Sequence, residues 1–229
     1  DVQQAADAWR IAITSATPAA ITDLASTQVR SGNGNSGRTG ITVTWSTGGA
    51  GTVALYRAPF GTYPEYDDLG PTSPPDPNLA PGAPWVLASA SVTSGYVDHP
   101  PVRGFWYYVA RVTDACGNTS TVSNMTAGSL DYHLGDVSDG ITTGQGDNQV
   151  RGVDISLLGR NYGIHEPTIT NRGVAYLDVG PTTDSLVTSR PVTDDQIDFL
   201  DLMMFAANFD SAASINTAAR PARPAGAGA

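Results

Sequence analysis

Oxygen-bearing side chains recur twice in the same order between residues 134 and 209. The first copy runs Gly135-Asp136-Val137-Ser138 and, after an insert, resumes with Asp147-Asn148-Gln149-Val150-Arg151-Gly152-Val153-Asp154. The second runs Leu177-Asp178-Val179-Gly180 and resumes with Asp194-Asp195-Gln196-Ile197-Asp198-Phe199-Leu200-Asp201. Oxygen ligands at this spacing, followed at once by an apolar helix, are what a chain needs to wrap a hard cation such as calcium. A Gly or Asn supplies the left-handed turn, and an acid in the first helical turn closes the sphere. In the first copy the expected ligands are Asp136, Ser138, Asp147, the carbonyl of Gln149 and Asp154, with Asn148 taking the turn. In the second they are Asp178, Asp194, the carbonyl of Gln196 and Asp201, with Asp198 at the helix start, where an acid also caps. Gly180 stands where a side-chain ligand would help, and Asp195 forms a left-handed turn less readily than Gly. The second calcium site is therefore expected to be the weaker. The competing reading is two capped helices with acidic loops and no metal.

The charge is concentrated where the repeat lies. The chain has 229 residues, 12 Arg and no Lys, against 20 Asp and 2 Glu. Residues 131–210 carry 13 acids and 4 Arg, a net of −9 out of the formal −10. Asp favours turns, caps and ion loops, whereas Glu and Lys favour exposed helices, so the composition is turn-rich. No basic patch exists, which disfavours nucleic acid as a partner. No run of about 18 apolar residues exists to span a membrane. Cys116 is alone and forms no internal disulfide. No signal peptide is visible, and the first residue, Asp1, suggests a mature chain or a fragment.

Other elements must position these loops. Residues 18–128 read as all-β: short β-branched runs at 21–27, 40–46, 52–57, 85–89, 95–98, 105–113 and 120–124 are separated by Gly, Pro, Asn and Asp clusters. Seven strands in this length predict a β-sandwich. Residues 58–84 form a long insertion with eight prolines, Tyr63 and Tyr66. These tyrosines either lie flat on the sandwich or present a contact surface. The glycine-rich run 32–37 has no helix behind it and reads as a flexible hairpin loop, not a nucleotide site. Residues 1–17 include an alternating segment with Trp9, Ile11 and Ile13 on one side, a short strand pattern. Residues 211–229 are an Ala/Pro/Gly-rich tail without packing capacity.

Particular runs resemble known families. Ile41-Thr42-Val43-Thr44-Trp45-Ser46, Val53-Ala54-Leu55-Tyr56-Arg57 and the stretch from Tyr107 to Ser120 resemble strands of a fibronectin type III domain, an immunoglobulin-like β-sandwich. Residues 129–210, most closely from Asp194 to Ala206, resemble dockerin-type repeats, paired EF-hand-like calcium loop–helix units. The fold class implied is mainly β: a fibronectin type III-like sandwich plus a small α-helical dockerin-like pair. The dockerin resemblance implies an extracellular, non-catalytic module that folds on calcium and docks to a cohesin partner or packs on a neighbouring domain of its own chain.

No catalytic constellation accompanies this. His99, His133 and His165 are scattered, no nucleophile elbow or paired-His zinc motif occurs, and Glu65, Asp67 and Asp68 in the insertion are not expected to be catalytic. The expected role is a secreted or cell-surface structural protein of bacterial type. Its Trp9, Ile11 and Ile13 segment would add as a strand to the next copy, head to tail, making a filament or surface layer. One alternative is the C-terminal attachment region of a larger secreted enzyme, held on a cohesin-like scaffold. Another is a carbohydrate-binding or adhesive sandwich using Trp85 and the insertion tyrosines. The sequons at Asn118 and Asn124 and the Thr/Ser/Pro-rich inserts are candidate sites for sugars.

Overall fold

A computed structural model describes residues 16–66 and 73–209 of the chain. Seven strands come first: β1 (Ala25–Gln28), β2 (Ile41–Thr44), β3 (Thr52–Phe60), β4 (Val86–Val92), β5 (Tyr96–Asp98), β6 (Phe105–Thr113) and β7 (Ser129–Leu130). Three short helices follow: α1 (Gly152–Asn161), α2 (Thr168–Arg172) and α3 (Phe199–Asn208). The strands form two antiparallel sheets, ordered β1-β2-β5 and β4-β3-β6-β7. The protein is thus mainly β, with its helices after the strands. The expected N-terminal contact residues Trp9, Ile11 and Ile13 and the C-terminal tail lie outside the described residues.

The alternation of β6 explains the architecture. Trp106, Tyr108, Ala110 and Val112 point one way and join Ile41 and Val43 of β2, Val53 and Leu55 of β3, and Ile21 and Leu24 in one cluster between the sheets. Phe105, Tyr107 and Val109 point the other way, as period-two geometry requires, and join a second cluster. That second cluster runs on without a break through Leu130, Tyr132 and Leu134 into Val150, Leu158, Leu177, Ile197 and Phe205. The outer face of the four-stranded sheet and the helical unit therefore share one core. Arg57 on β3 and Tyr108 on β6 both bond Asp98 on β5, at 2.8 and 2.9 Å, which ties the two sheets together.

The expected strand at 120–124 is not a ladder strand, and the reason is chemical. Ser120, Ser123 and Thr126 each donate the backbone amide to β6, at the carbonyls of Val112, Ala110 and Tyr108. In return the amides of Val112, Ala110 and Tyr108 donate to the hydroxyls of Ser120, Ser123 and Thr126, at 2.9–3.0 Å. The segment advances three residues for every two of β6. Hydroxyls replace the carbonyls that a regular strand would offer, so β6 keeps its hydrogen bonds without a second extended strand.

The insertion folds inward. Tyr66 is fully buried and its hydroxyl meets that of Tyr132 at 3.0 Å. Tyr63 is partly buried, edge-on to Tyr132 with ring centres 5.1 Å apart. Trp85 is buried and donates to the Asp76 carbonyl at 2.8 Å. The reading of Tyr63 and Tyr66 as a contact surface is thus corrected: with Trp85, they help build the core beneath the helical unit. The run 32–37, read as a flexible hairpin loop, packs against the first acidic loop described below.

Candidate cation loops

Both copies of the repeat fold the same way, and each helix begins the same way. Asp154 and Asp201 sit in the first turns of α1 and α3 and return a carboxylate oxygen to the amide at their own helix entrance, Arg151 and Asp198, at 2.8 Å. This is the acidic half of a capping box. The other oxygen of Asp154 accepts the amides of Val137 and Ser138, and that of Asp201 accepts the amides of Val179 and Gly180. Asp147 and Asp194 accept the amides of Gln149 and Gln196, two residues on. Asn148 and Asp195 take the left-handed turn, with φ of 66° and 61°. A cross-connection repeats too: the segment after α1 bridges the second loop at His165 and Gln196, and the residue after α3 bridges the first loop at Phe209 and Val150.

Gly180 has a structural reason. A Cβ there would lie 2.6 Å from the Leu200 backbone, so the entrance of α3 excludes a side chain at the position where a ligand would have helped. Gly146 is equally confined, since a Cβ would strike the Asp136 carboxylate.

The loops part company at their opening acids. Asp136 is buried and satisfied: it accepts the amides of Asp147 and Asn148 at 2.8 and 2.9 Å and pairs with the Arg103 guanidinium at 3.0 Å. Arg103 also bonds the carbonyls of Asp136 and Gly37. It lies over the rings of Tyr63 and Tyr132, 5.7 and 5.3 Å from their centres, a double cation–π seat. Asn148 donates to the carbonyls of Gly34 and Arg38, so run 32–37 closes over this loop. Of the remaining first-loop residues, Ser138 accepts from Gly140, and Asp147 pairs with Arg151. The expected calcium ligation by Asp136, Ser138, Asp147, Gln149 and Asp154 does not fit this arrangement. Backbone amides occupy the carboxylates and a guanidinium supplies the counter-charge.

Asp178, the counterpart of Asp136, is only 2% exposed, and neither of its carboxylate oxygens has a hydrogen-bond partner. The Asp194 amide approaches without completing a bond. Burial, and then the charges of Asp201, Glu65 and Asp194, push its carboxyl up to about 9. Asp201 rises to about 7, mainly through burial. Burial thus disfavours the ionised form of Asp178. The first loop thus satisfies its opening acid internally, whereas the second leaves Asp178 without a hydrogen-bond partner. Asp194, Gln196 and Asp198 lie nearer the surface, and Asp198 caps α3 through the Leu200 amide at 2.7 Å. Among the described residues no three acidic, His or Cys side chains converge at coordinating distance.

Sequence reasoning missed Arg103, which reaches the first loop from outside the repeat. Its only signal was its place just before the most aromatic strand. Among the described residues no helix is long and apolar enough to cross a membrane. Comparison with family models, with curated proteins and with solved structures finds no match to this chain.

Proposed function

We propose that this chain is a non-catalytic structural protein of the extracellular space or cell surface, stabilised by calcium and built to assemble with copies of itself. The observation that carries the reading is the shared core between the outer sheet face and the helical unit. Leu157, Leu158, Met204 and Phe205 are buried against the chain's own sandwich and loops, so the loop–helix pair braces its neighbour instead of standing free as an attachment tag. The sheet orders and the repeated loop geometry support a fibronectin type III-like sandwich joined to a dockerin-like pair. Assembly would use the segment with Trp9, Ile11 and Ile13 as an added strand. A receiving edge exists in β4, whose sequence Val86-Leu87-Ala88-Ser89-Ala90-Ser91-Val92 has no charge or proline to discourage pairing. Negative-stain imaging of the full chain and of a chain lacking residues 1–17 tests this. Regular fibres are expected only from the full chain, and fibres from the truncated chain would overturn the assembly claim.

A second reading has its own observation. Phe199, Leu200 and Met203 leave an apolar stripe of α3 exposed, with Phe209 beyond it. Such a stripe suits docking to a cohesin-like scaffold, as expected for an attachment region of a larger secreted enzyme. The adhesive reading loses support, because Trp85 and Tyr66 are buried.

A further inference from the structure

We propose that the chain's own C-terminal tail docks, through Pro221 and Pro224, into an apolar cavity at one end of the four-stranded sheet, where the Trp106 indole N–H donates to a tail carbonyl.

The cavity, about 440 Å³, lies where β3 ends and the turn before β6 returns to the sheet. Pro59, Val102, Gly104 and Trp106 line it, with Arg103 and the core ring of Tyr63. Its volume falls within the roughly 300–1,000 Å³ of ligand pockets. Val102 on its wall is 60% exposed. Trp106 is only 5% exposed, and its indole N–H has no hydrogen-bond partner. A Cβ on Gly104 would lie 2.9 Å from that nitrogen, so a glycine there leaves the indole edge uncovered on the cavity side. The Arg57 guanidinium lies over the same ring, 5.7 Å from its centre, and its Nε is unpartnered too. Both orphaned atoms are donors. A buried donor without an acceptor is unfavourable, so the cavity selects a ligand that brings carbonyls together with apolar surface.

The chain's own sequence contains such a ligand. Arg220-Pro221-Ala222-Arg223-Pro224-Ala225 repeats Arg-Pro-Ala twice. Three residues is the period of a polyproline II helix, in which both prolines share one edge and both arginines another. Each proline offers a carbonyl and no N–H, the complement of a site whose orphaned atoms are donors. Pro-rich segments dock in aromatic-lined grooves in this way. The reach agrees. Phe209, the last described residue, bridges Val150 of the first loop. Arg103 on the cavity wall bonds the carbonyl and the carboxylate of Asp136, in that same loop. The dozen or so residues from Phe209 to Pro221 span up to about 40 Å when extended. A tether this short holds the tail near the cavity at an effective concentration on the order of mM. Charge does not oppose the encounter. Arg57 and Arg103 beside the cavity are neutralised by Asp98 and Asp136, and the chain carries a net −10 to attract the two tail arginines.

Nuclear magnetic resonance of the full, isotope-labelled chain as a monomer, over a dilution series, tests this. The expected result is nuclear Overhauser contacts between the Pro221 and Pro224 rings and the Trp106 indole, independent of concentration, with the proline ring protons shifted upfield by the indole. Pro221→Ala together with Pro224→Ala should abolish the contacts and move the Trp106 indole N–H resonance upfield, as its acceptor is lost. Val102→Asp, at an exposed position, should release the prolines while the chain melts as wild type does. Prolines at random-coil shifts in the folded wild type, or contacts that survive in folded Val102→Asp, would overturn the inference. Contacts that weaken on dilution would overturn it by assigning the tail to a second copy. Contacts to Trp106 from Trp9 in place of the prolines would overturn it by assigning the cavity to the N-terminal segment.

Discussion

Arg103 and Asp136 form a buried ion pair, 3.0 Å between guanidinium and carboxylate, that joins the sandwich to the first acidic loop. The same guanidinium covers Tyr63 and Tyr132. The worth of the pair lies in being complete. Arg103→Met should destabilise the chain by about 3–5 kcal/mol, because Asp136 is left charged and buried. Adding Asp136→Asn should recover a large part of that loss. Urea unfolding of both variants reads this, and purely additive losses would show that the two residues act separately.

Ser123 gives a smaller and cleaner test. Its hydroxyl accepts from the Ala110 amide, at 2.9 Å, in the middle of β6. Ser123→Ala removes the acceptor and leaves a buried amide unsatisfied, at a cost of about 1–3 kcal/mol. Ser123→Thr keeps the hydroxyl and should lose less. Equal stability of the alanine variant and the wild type in urea would mean that water or a shifted strand replaces the hydroxyl.

Much of the fold was legible because it follows from periodicity. The alternation of 105–113 marked β6 with its observed bounds, and the runs at 40–46, 52–57, 85–89 and 95–98 located β2 to β5 within a few residues. Asn148 and Asp195 were recognisable as left-handed turns because the repeat places them where a loop must reverse. The segment 120–124 was misread as a strand because Thr121 and Val122 are β-branched, while nothing in the pattern marks the flanking serine hydroxyls as stand-ins for carbonyls. The difference between the two loops was not legible for another reason. The reading weighed residues within the repeat, whereas Arg103, which neutralises Asp136, comes from a position far away in sequence.

The left-handed turn at Asp195 makes a sharper distinction than charge alone. Asp195 is exposed, with φ of 61°. Asp195→Gly should be neutral or stabilising by up to about 1 kcal/mol, and Asp195→Val should cost about 1–2 kcal/mol because a β-branched side chain resists this conformation. Thermal melts of the two variants should bracket the wild type. A valine variant as stable as the glycine variant would mean that the turn is not left-handed in solution.

His133 sets a pH dependence. It is buried, neither ring nitrogen has a hydrogen-bond partner, and burial with the charges of Arg30 and Arg103 pushes it down to about 4. An unfolded His titrates near 6.5, so between these values the unfolded chain binds a proton that the folded chain refuses. The contribution is present above about 6.5 and is lost as pH falls toward 4, to a total of about 3 kcal/mol. His133→Leu should melt with a flatter pH dependence than wild type over that window. Parallel curves would show that His133 is not buried in its neutral form.

Calorimetric melting of the full chain, with calcium and with chelator, tests the central claim most directly. With calcium at about a hundred times its dissociation constant, binding to the folded state alone adds about 2.7 kcal/mol, which raises the melting temperature on the order of 5–10 °C. Because the sandwich and the helical unit share one core, the account predicts a single transition that moves as a whole. A melting temperature indifferent to chelator would contradict the calcium claim, and two separate transitions, only one of them moving, would contradict the shared core.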